Sequence, residues 1–122
     1  MEIRDLIGIP FKTHGRDSSG YDCYGLAIEV LKRKGVNLPD VFYSSTSQES
    51  NEKVSRIIKD GLPLEKIDTP EPYCLIDIAL CGQSVHCGVY IGDEMFIHAT
   101  KDLGVCIQNI ARYEKKIKGF YR

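Results

Sequence analysis

"SSGYDCYGLAIEVLKRKG", residues 18–35, passes from a polar, glycine-bearing loop into an amphipathic stretch within two residues, Asp22 and Cys23. Beyond them Leu26, Ala27, Val30 and Leu31 recur at helical spacing, Lys32, Arg33 and Lys34 crowd the far end, and Gly35 follows. The pattern predicts a helix of about three turns, with cations where the dipole favours them and a glycine to close it. A cysteine in the first turn of a helix faces unpaired backbone N–H groups and the positive end of the dipole, and both stabilise a thiolate. Cysteine is also commonly buried as a small hydrophobe. Cys74, Cys81, Cys87 and Cys106, which fall in strand-like runs, read that way. Cys23 differs in opening a helix beside a polar loop, and it is the candidate nucleophile.

The rest of the chain sets the bounds. With 122 residues it reads as one domain spanning 1–122, large enough for a single core. A formal charge of −1 gives no reason to expect nucleic acid as a partner. The first residues, MEIRDLIGIPF, carry charges within their apolar run and do not read as a secretory signal. No apolar run approaches the roughly 18–20 residues that would span a bilayer, so neither export nor membrane contact is expected and synthesis is placed in the cytoplasm. Five cysteines, an odd number, then point to free thiols in a reducing compartment. None lies in a CxxC pair, and neither a metal nor a cofactor is expected.

Before the central helix, Ile3, Leu6 and Ile7 predict a short first helix ended by Gly8 and Pro10, and FKTHGRDSSG reads as loop. After it, Thr46 and Glu49 form a possible capping box for a helix running to Lys59 and burying Val54, Ile57 and Ile58. Pro63, Pro70 and Pro72 mark an extended connector. From Tyr73 onward CLIDIAL, HCGVYIG, MFIHAT, GVCIQNI and KGFYR read as short strands. Helices followed by a meander make an α+β domain, with N-terminal helices packed on one face of a C-terminal antiparallel sheet.

A thiolate nucleophile needs a base, and the chain has three histidines. His86 and His98 sit on consecutive strands across the turn Gly92-Asp93-Glu94. Side chains alternate faces along a strand, so the two share a face only if the hairpin loop has an odd number of residues. A three-residue loop would pair Ile91 with Met95 and set Gly88, with room for an imidazole, opposite His98. A two-residue Gly-Asp turn would put the histidines on opposite faces, and the sequence permits both. A metal site built from His86, Cys87, His98 and Cys106 is disfavoured by the same alternation, because neighbours on a strand point apart.

GIPFKTHGRDSSGYDCYGL (8–26) followed by HCGVYIGDEMFIHA (86–99) resembles the NlpC-type family of papain-like cysteine peptidases. That family has an Asp-Cys-Ser-Gly-Leu motif, and later a His-x-Gly-[Ile/Val]-Tyr strand that leads to Ile-His-Ala. The resemblance implies a papain-like fold with Cys23 as nucleophile, His86 as general base and His98 as the residue that orients the base. It also implies hydrolysis of amide bonds in bacterial cell-wall stem peptides, of the D-glutamyl–diamino acid type. Such substrates carry carboxylates, for which Lys12 and Arg16 are candidate partners if they are not simply solvated loop charges. Phe11 stands where the family usually has a tyrosine, and Tyr24 replaces the serine after the cysteine; both would line the cleft. GRDSSGYDCYGLAIEVLKRKGVNLP and ARYEKKIKGFYR further resemble the peptidase domains of phage tail-assembly proteins and their prophage relatives. That narrower likeness implies phage tail proteins as partners and delivery within a phage particle. The competing expectation is a weak or inactive papain-like domain that serves as a tail or wall-binding component. An acyltransferase on a related fold is disfavoured, because there the histidine precedes the cysteine.

Overall fold

A computed structural model describes residues 3–40, 64–80 and 84–122. The expected helix from Thr46 to Lys59, together with Pro63 and Cys81, lies outside the described residues. In chain order the elements are β1 (Arg16–Asp17), β2 (Gly20–Tyr21), α1 (Cys23–Arg33), β3 (Lys66–Ile67), β4 (Leu75–Leu80), β5 (Ser84–Gly92), β6 (Met95–Thr100), β7 (Gly104–Asn109) and β8 (Ile117–Tyr121). The five strands expected from Tyr73 onward are β4 to β8. Two 3-10 segments among the described residues, Arg4–Leu6 and Ile110–Lys116, stand outside this count. The first replaces the expected opening helix: Leu6 is buried, while Ile7 stays exposed. The expected loop before α1 contains the small β1–β2 hairpin.

α1 begins and ends as its residues dictate. Asp22 is the N-cap, and its carboxylate accepts the Gly25 N–H at 2.7 Å. At the other end Gly35 takes φ +87°, which lets the Val36 N–H reach the Leu31 carbonyl at 2.9 Å and close the last turn. Arg33 ties the helix to the N-terminal segment, with two bonds to Asp5 at 2.7 and 2.8 Å and a third to Glu29 at 2.8 Å.

β3 to β8 form one antiparallel sheet in the order β3-β8-β4-β5-β6-β7. One face carries Leu75, Cys87, Val89, Ile97 and Ala99, and buries Leu26, Ala27, Val30 and Leu31 of α1 against them. The opposite face is not bare. Ile76, Ile78, Tyr90 and Phe96 are buried there, with Ile110 and Tyr113 of the second 3-10 segment packed over them. α1 covers one face as expected; the stretch IARYEKK, whose short apolar spacing fits neither a long helix nor a strand, covers the other.

The β5–β6 hairpin meets the parity requirement by a different route from the three-residue loop. Asp93 and Glu94 form a two-residue turn with φ +53° and +63°, so Gly92 rather than Ile91 pairs with Met95. The register then shifts between Tyr90 and Gly92, a bulge that adds one residue and restores the Val89–Ile97 pairing. His86 and His98 end on the same face. Gly88 leaves no room for an imidazole, because a Cβ built there would meet the Phe96 ring at 2.7 Å. The small residue admits Phe96, and Phe96 in turn stacks on His98 with centroids 4.3 Å apart.

Candidate active site

The site forms where β5 and β6 part. Their mutual pairing stops at Val89–Ile97, although β5 continues along β4 to Ser84 and β6 continues along β7 to Thr100. His86 and His98 lie just beyond the last shared rung, and α1 starts against this gap. Cys23 can therefore reach both His86 and Cys87, neighbours that leave β5 on opposite faces. The site brings Cys23, His86 and His98 together, with ring centroids of the two histidines 5.0 Å apart at an interplanar angle of 70°.

A hydrogen-bonded chain fixes the imidazoles. His98 Nδ1 lies 2.7 Å from His86 Nε2, and His98 Nε2 lies 2.7 Å from Gln108 Oε1. The same carbonyl oxygen accepts the Tyr113 hydroxyl at 2.8 Å. Since that oxygen only accepts, His98 carries its proton on Nε2, and its bare Nδ1 accepts from His86 Nε2–H. The nitrogen of His86 left for Cys23 is Nδ1. Gln108 and Tyr113 were not singled out from the sequence. The signal for Gln108 is a polar side chain in a mostly apolar strand, but it becomes legible only once the His98–Cys106 rung sets the β6–β7 register.

Electrostatics follow from this burial. The Cys23 thiol is held well below the ordinary cysteine value, first by a hydrogen bond from Cys87 and then by His86, against a desolvation penalty. Cys23 is buried, at 9% exposure, more than a freely accessible thiol would be. The Cys87 thiol is pushed well above the ordinary value by the same contact and by burial, with the Asp22 and Asp77 carboxylates adding to it. The helix N-terminus also favours negative charge on Cys23. Cys74 and Cys106 are both raised by burial. Cys87, expected only to pack, is thus in direct contact with the candidate nucleophile.

Burial, and secondarily the charge of His86, lowers His98 from 6.5 to about 4. The unfolded chain protonates this residue near its ordinary value and the folded protein only well below it, so the unfolded state binds more protons across that window. Acidification from neutral pH to about 4 is therefore expected to remove roughly 2–3 kcal/mol of stability through this group. Urea midpoints for wild type and His98→Gln at the two pH values check this. The variant's midpoint should fall clearly less on acidification, and equal falls would count against it.

Two of the residues expected to meet substrate have other work. Tyr24 is fully buried and its hydroxyl donates to the Pro39 carbonyl at 2.7 Å, so it packs α1 rather than lining a cleft. Arg16 donates to Asp22 and to the Gly15 carbonyl, both at 2.8 Å, and to Asp40 at 2.9 Å. A guanidinium spent on the N-cap carboxylate is a structural group. Gly25 serves the same knot, since a Cβ there would lie 2.1 Å from the Gly15 carbonyl oxygen. Phe11 is half-buried against the core and bridges Tyr21 through its backbone. Lys12 is exposed, with Nζ 3.3 Å from the Ser19 hydroxyl. A cavity of about 420 Å³ lined by Glu94, Ile110, Ala111, Glu114, Ile117 and Phe120 contains none of these residues.

A helix whose first residue is a cysteine, set against an antiparallel sheet that carries the histidine, is the layout of a papain-like α+β fold. Solved structures place it more narrowly among NlpC/P60 folds. An NlpC/P60 family protein from Bacillus cereus ATCC 10987 superposes with a TM-score of 0.68 at 23% identity, over 96% of this chain and 36% of that one. The NlpC/p60 domain of the peptidoglycan hydrolase SagA gives 0.65 at 19% identity, over 96% and 89%. A lipoprotein-like NLP/P60 protein from Staphylococcus aureus subsp. aureus Mu50 gives 0.64 at 20% identity, over 96% and 37%. The chain thus spans little more than a third of the first and third of these proteins. No protein-family model matches the sequence, and no curated protein matches it. Among the described residues no helix is long and apolar enough to cross a membrane.

Proposed function

We propose that this protein is a cysteine peptidase that cleaves amide bonds in bacterial cell-wall stem peptides. The observation that carries the reading is the directed chain from Gln108 through His98 to His86, which leaves one basic nitrogen for a thiol at a helix N-terminus. In the acylation step the Cys23 sulfur attacks the scissile carbonyl. The proton held between Cys23 and His86 is then delivered to the leaving amine. The Cys23 backbone N–H, in the first turn of α1, is positioned to stabilise the oxyanion. In deacylation His86 takes a proton from water and returns the thiolate. His98, neutral at working pH, keeps Nε2–H of His86 engaged and its ring in plane.

The substrate class rests on the motif resemblance and on the shared fold with the NlpC/p60 domain of SagA, a peptidoglycan hydrolase. Cleavage between D-glutamate and a diamino acid is the finer form of the proposal, as is assembly with phage tail proteins; both rest on the sequence resemblance. With Arg16 engaged by Asp22 and Asp40, Lys12 is the cation of this loop proposed to meet a substrate carboxylate. Digestion of purified stem peptides followed by mass analysis tests the reading. Wild type is expected to release fragments split at one amide bond and Cys23→Ala none; an intact substrate with wild type would overturn it. A wall-binding role without hydrolysis is the second reading, favoured by Phe11, which brings no hydroxyl to the reacting carbonyl. Selective labelling of Cys23 by a thiol-reactive peptide probe supports hydrolysis, and binding to wall fragments without such labelling supports the second reading.

A further inference from the structure

We propose that Cys23 and Cys87 form a reversible disulfide when the protein meets a peroxide, and that this bond switches the site off. The inference deepens the reading above, since it takes Cys23 to be the reactive thiolate. Three observations converge on it. Cys23 is the first residue of α1 and Cys87 lies in β5, the strand against which α1 packs most extensively. Both residues belong to the same buried cluster, and their side chains are in contact. Both are free thiols, and hydrolysis gives Cys87 no step of its own.

The chemistry needs a thiolate, a resolving thiol and an oxidant. The Cys23 thiolate attacks one oxygen of hydrogen peroxide. An S–O bond forms, the O–O bond breaks, and the departing hydroxide takes a proton from the imidazolium of His86. Cys23 is then a sulfenic acid. The sulfur of Cys87 attacks it, the S–S bond forms, the S–O bond breaks, and the proton of Cys87 leaves with the oxygen as water. Two thiols are oxidised and one peroxide is reduced to two waters. Other cysteines are less well placed among the described residues. Cys74 is buried in the cluster on the opposite face of the sheet, and Cys106 sits in β7 across from His98. A nucleophile bonded to Cys87 cannot attack a carbonyl, while a thiol reductant regenerates both groups. The bond would also spare Cys23 the irreversible climb to sulfinic and sulfonic acid.

The test exposes the full chain to hydrogen peroxide, blocks remaining thiols under denaturing conditions, digests without reductant and maps the peptides by mass. The expected product joins the Cys23 and Cys87 peptides and disappears with dithiothreitol. In Cys87→Val, a swap to a strand-favouring side chain checked by its thermal melt, Cys23 should instead accumulate as sulfinic and sulfonic acid that dithiothreitol does not reverse. The map of the wild-type protein stands even if that variant fails to fold. Sulfinic acid on wild-type Cys23, an unoxidised Cys23, or a bond from Cys23 to Cys74, Cys81 or Cys106 would each overturn the proposal. The linkage is read without any hydrolysis assay, so linkage in a protein that cuts no stem peptide would sink the peptidase reading alone. Cleavage of stem peptides with no linkage would sink the switch alone.

Discussion

Cys23→Ala and His86→Ala are each expected to lower kcat/KM on a wall stem peptide by about 10³-fold or more, and the double variant to fall no further. In the proposed mechanism the sulfur and the imidazole act as one unit: without the thiol the base has no proton to move, and without the base the leaving amine departs unprotonated. His98 enters differently, because it touches His86 and not the reacting atoms. In His98→Gln the amide oxygen can still accept from His86 Nε2–H, whereas His98→Ala leaves that N–H, now 2.7 Å from its acceptor, without a partner. The glutamine variant is therefore expected to keep clearly more activity than the alanine one. A folded His98→Gln as inactive as His86→Ala would show that His98 does more than orient. Losses in the two single variants that multiply in the double would show that Cys23 and His86 act separately.

Asp22→Ala is expected to destabilise the fold by about 2–4 kcal/mol, the largest effect on stability foreseen for a single residue of the site. The carboxylate is buried at 1% exposure and accepts from Gly25 N–H, His14 N–H and Arg16 Nη1. Removing it takes away the N-cap and leaves two backbone donors and a partly buried guanidinium without their acceptor. Asp22→Asn keeps an oxygen for Gly25 but turns an amide NH2 toward the His14 N–H and loses the charge toward Arg16, so it is expected to cost less than the alanine variant, about 1–2 kcal/mol. Urea denaturation with an unchanged slope measures both. Because Asp22 also fixes the start of α1, the alanine variant should lose activity along with stability. A change below about 0.5 kcal/mol would show that solvent or the neighbouring loop replaces the cap.

Much of this was legible in local pattern. The helix at Cys23–Arg33 follows from Asp22, the apolar spacing and Gly35, all of which act within a few residues. Strands β4 to β8 follow from short β-branched and aromatic runs between turn residues. The pairing of a cysteine at a helix start with two strand histidines was likewise readable from residue type and order. Local pattern did less well where the outcome depended on a partner far along the chain. Asp93 and Glu94 do not carry the usual asparagine-glycine signature of a two-residue turn. The bulge that rescues the parity of His86 and His98 is set by packing along the whole ladder. Tyr24 and Arg16 looked free to meet a substrate because nothing nearby in sequence announces Pro39, Asp40 or the buried face of Asp22.

The sequence by itself determined the α+β class and the place of Cys23 at the start of a helix, with two histidines on consecutive strands. Those features rest on periodicity, capping and alternation, which are properties of consecutive residues. Only the tertiary structure decided the direction of the proton chain, the burial of Tyr24, the structural engagement of Arg16 and the contact between Cys23 and Cys87. Each of these depends on which strand lies beside which, and on the gap where β5 and β6 separate. Side chains from residues 23, 86, 87, 98 and 108 meet there because the sheet diverges at that point, and no local propensity encodes that divergence.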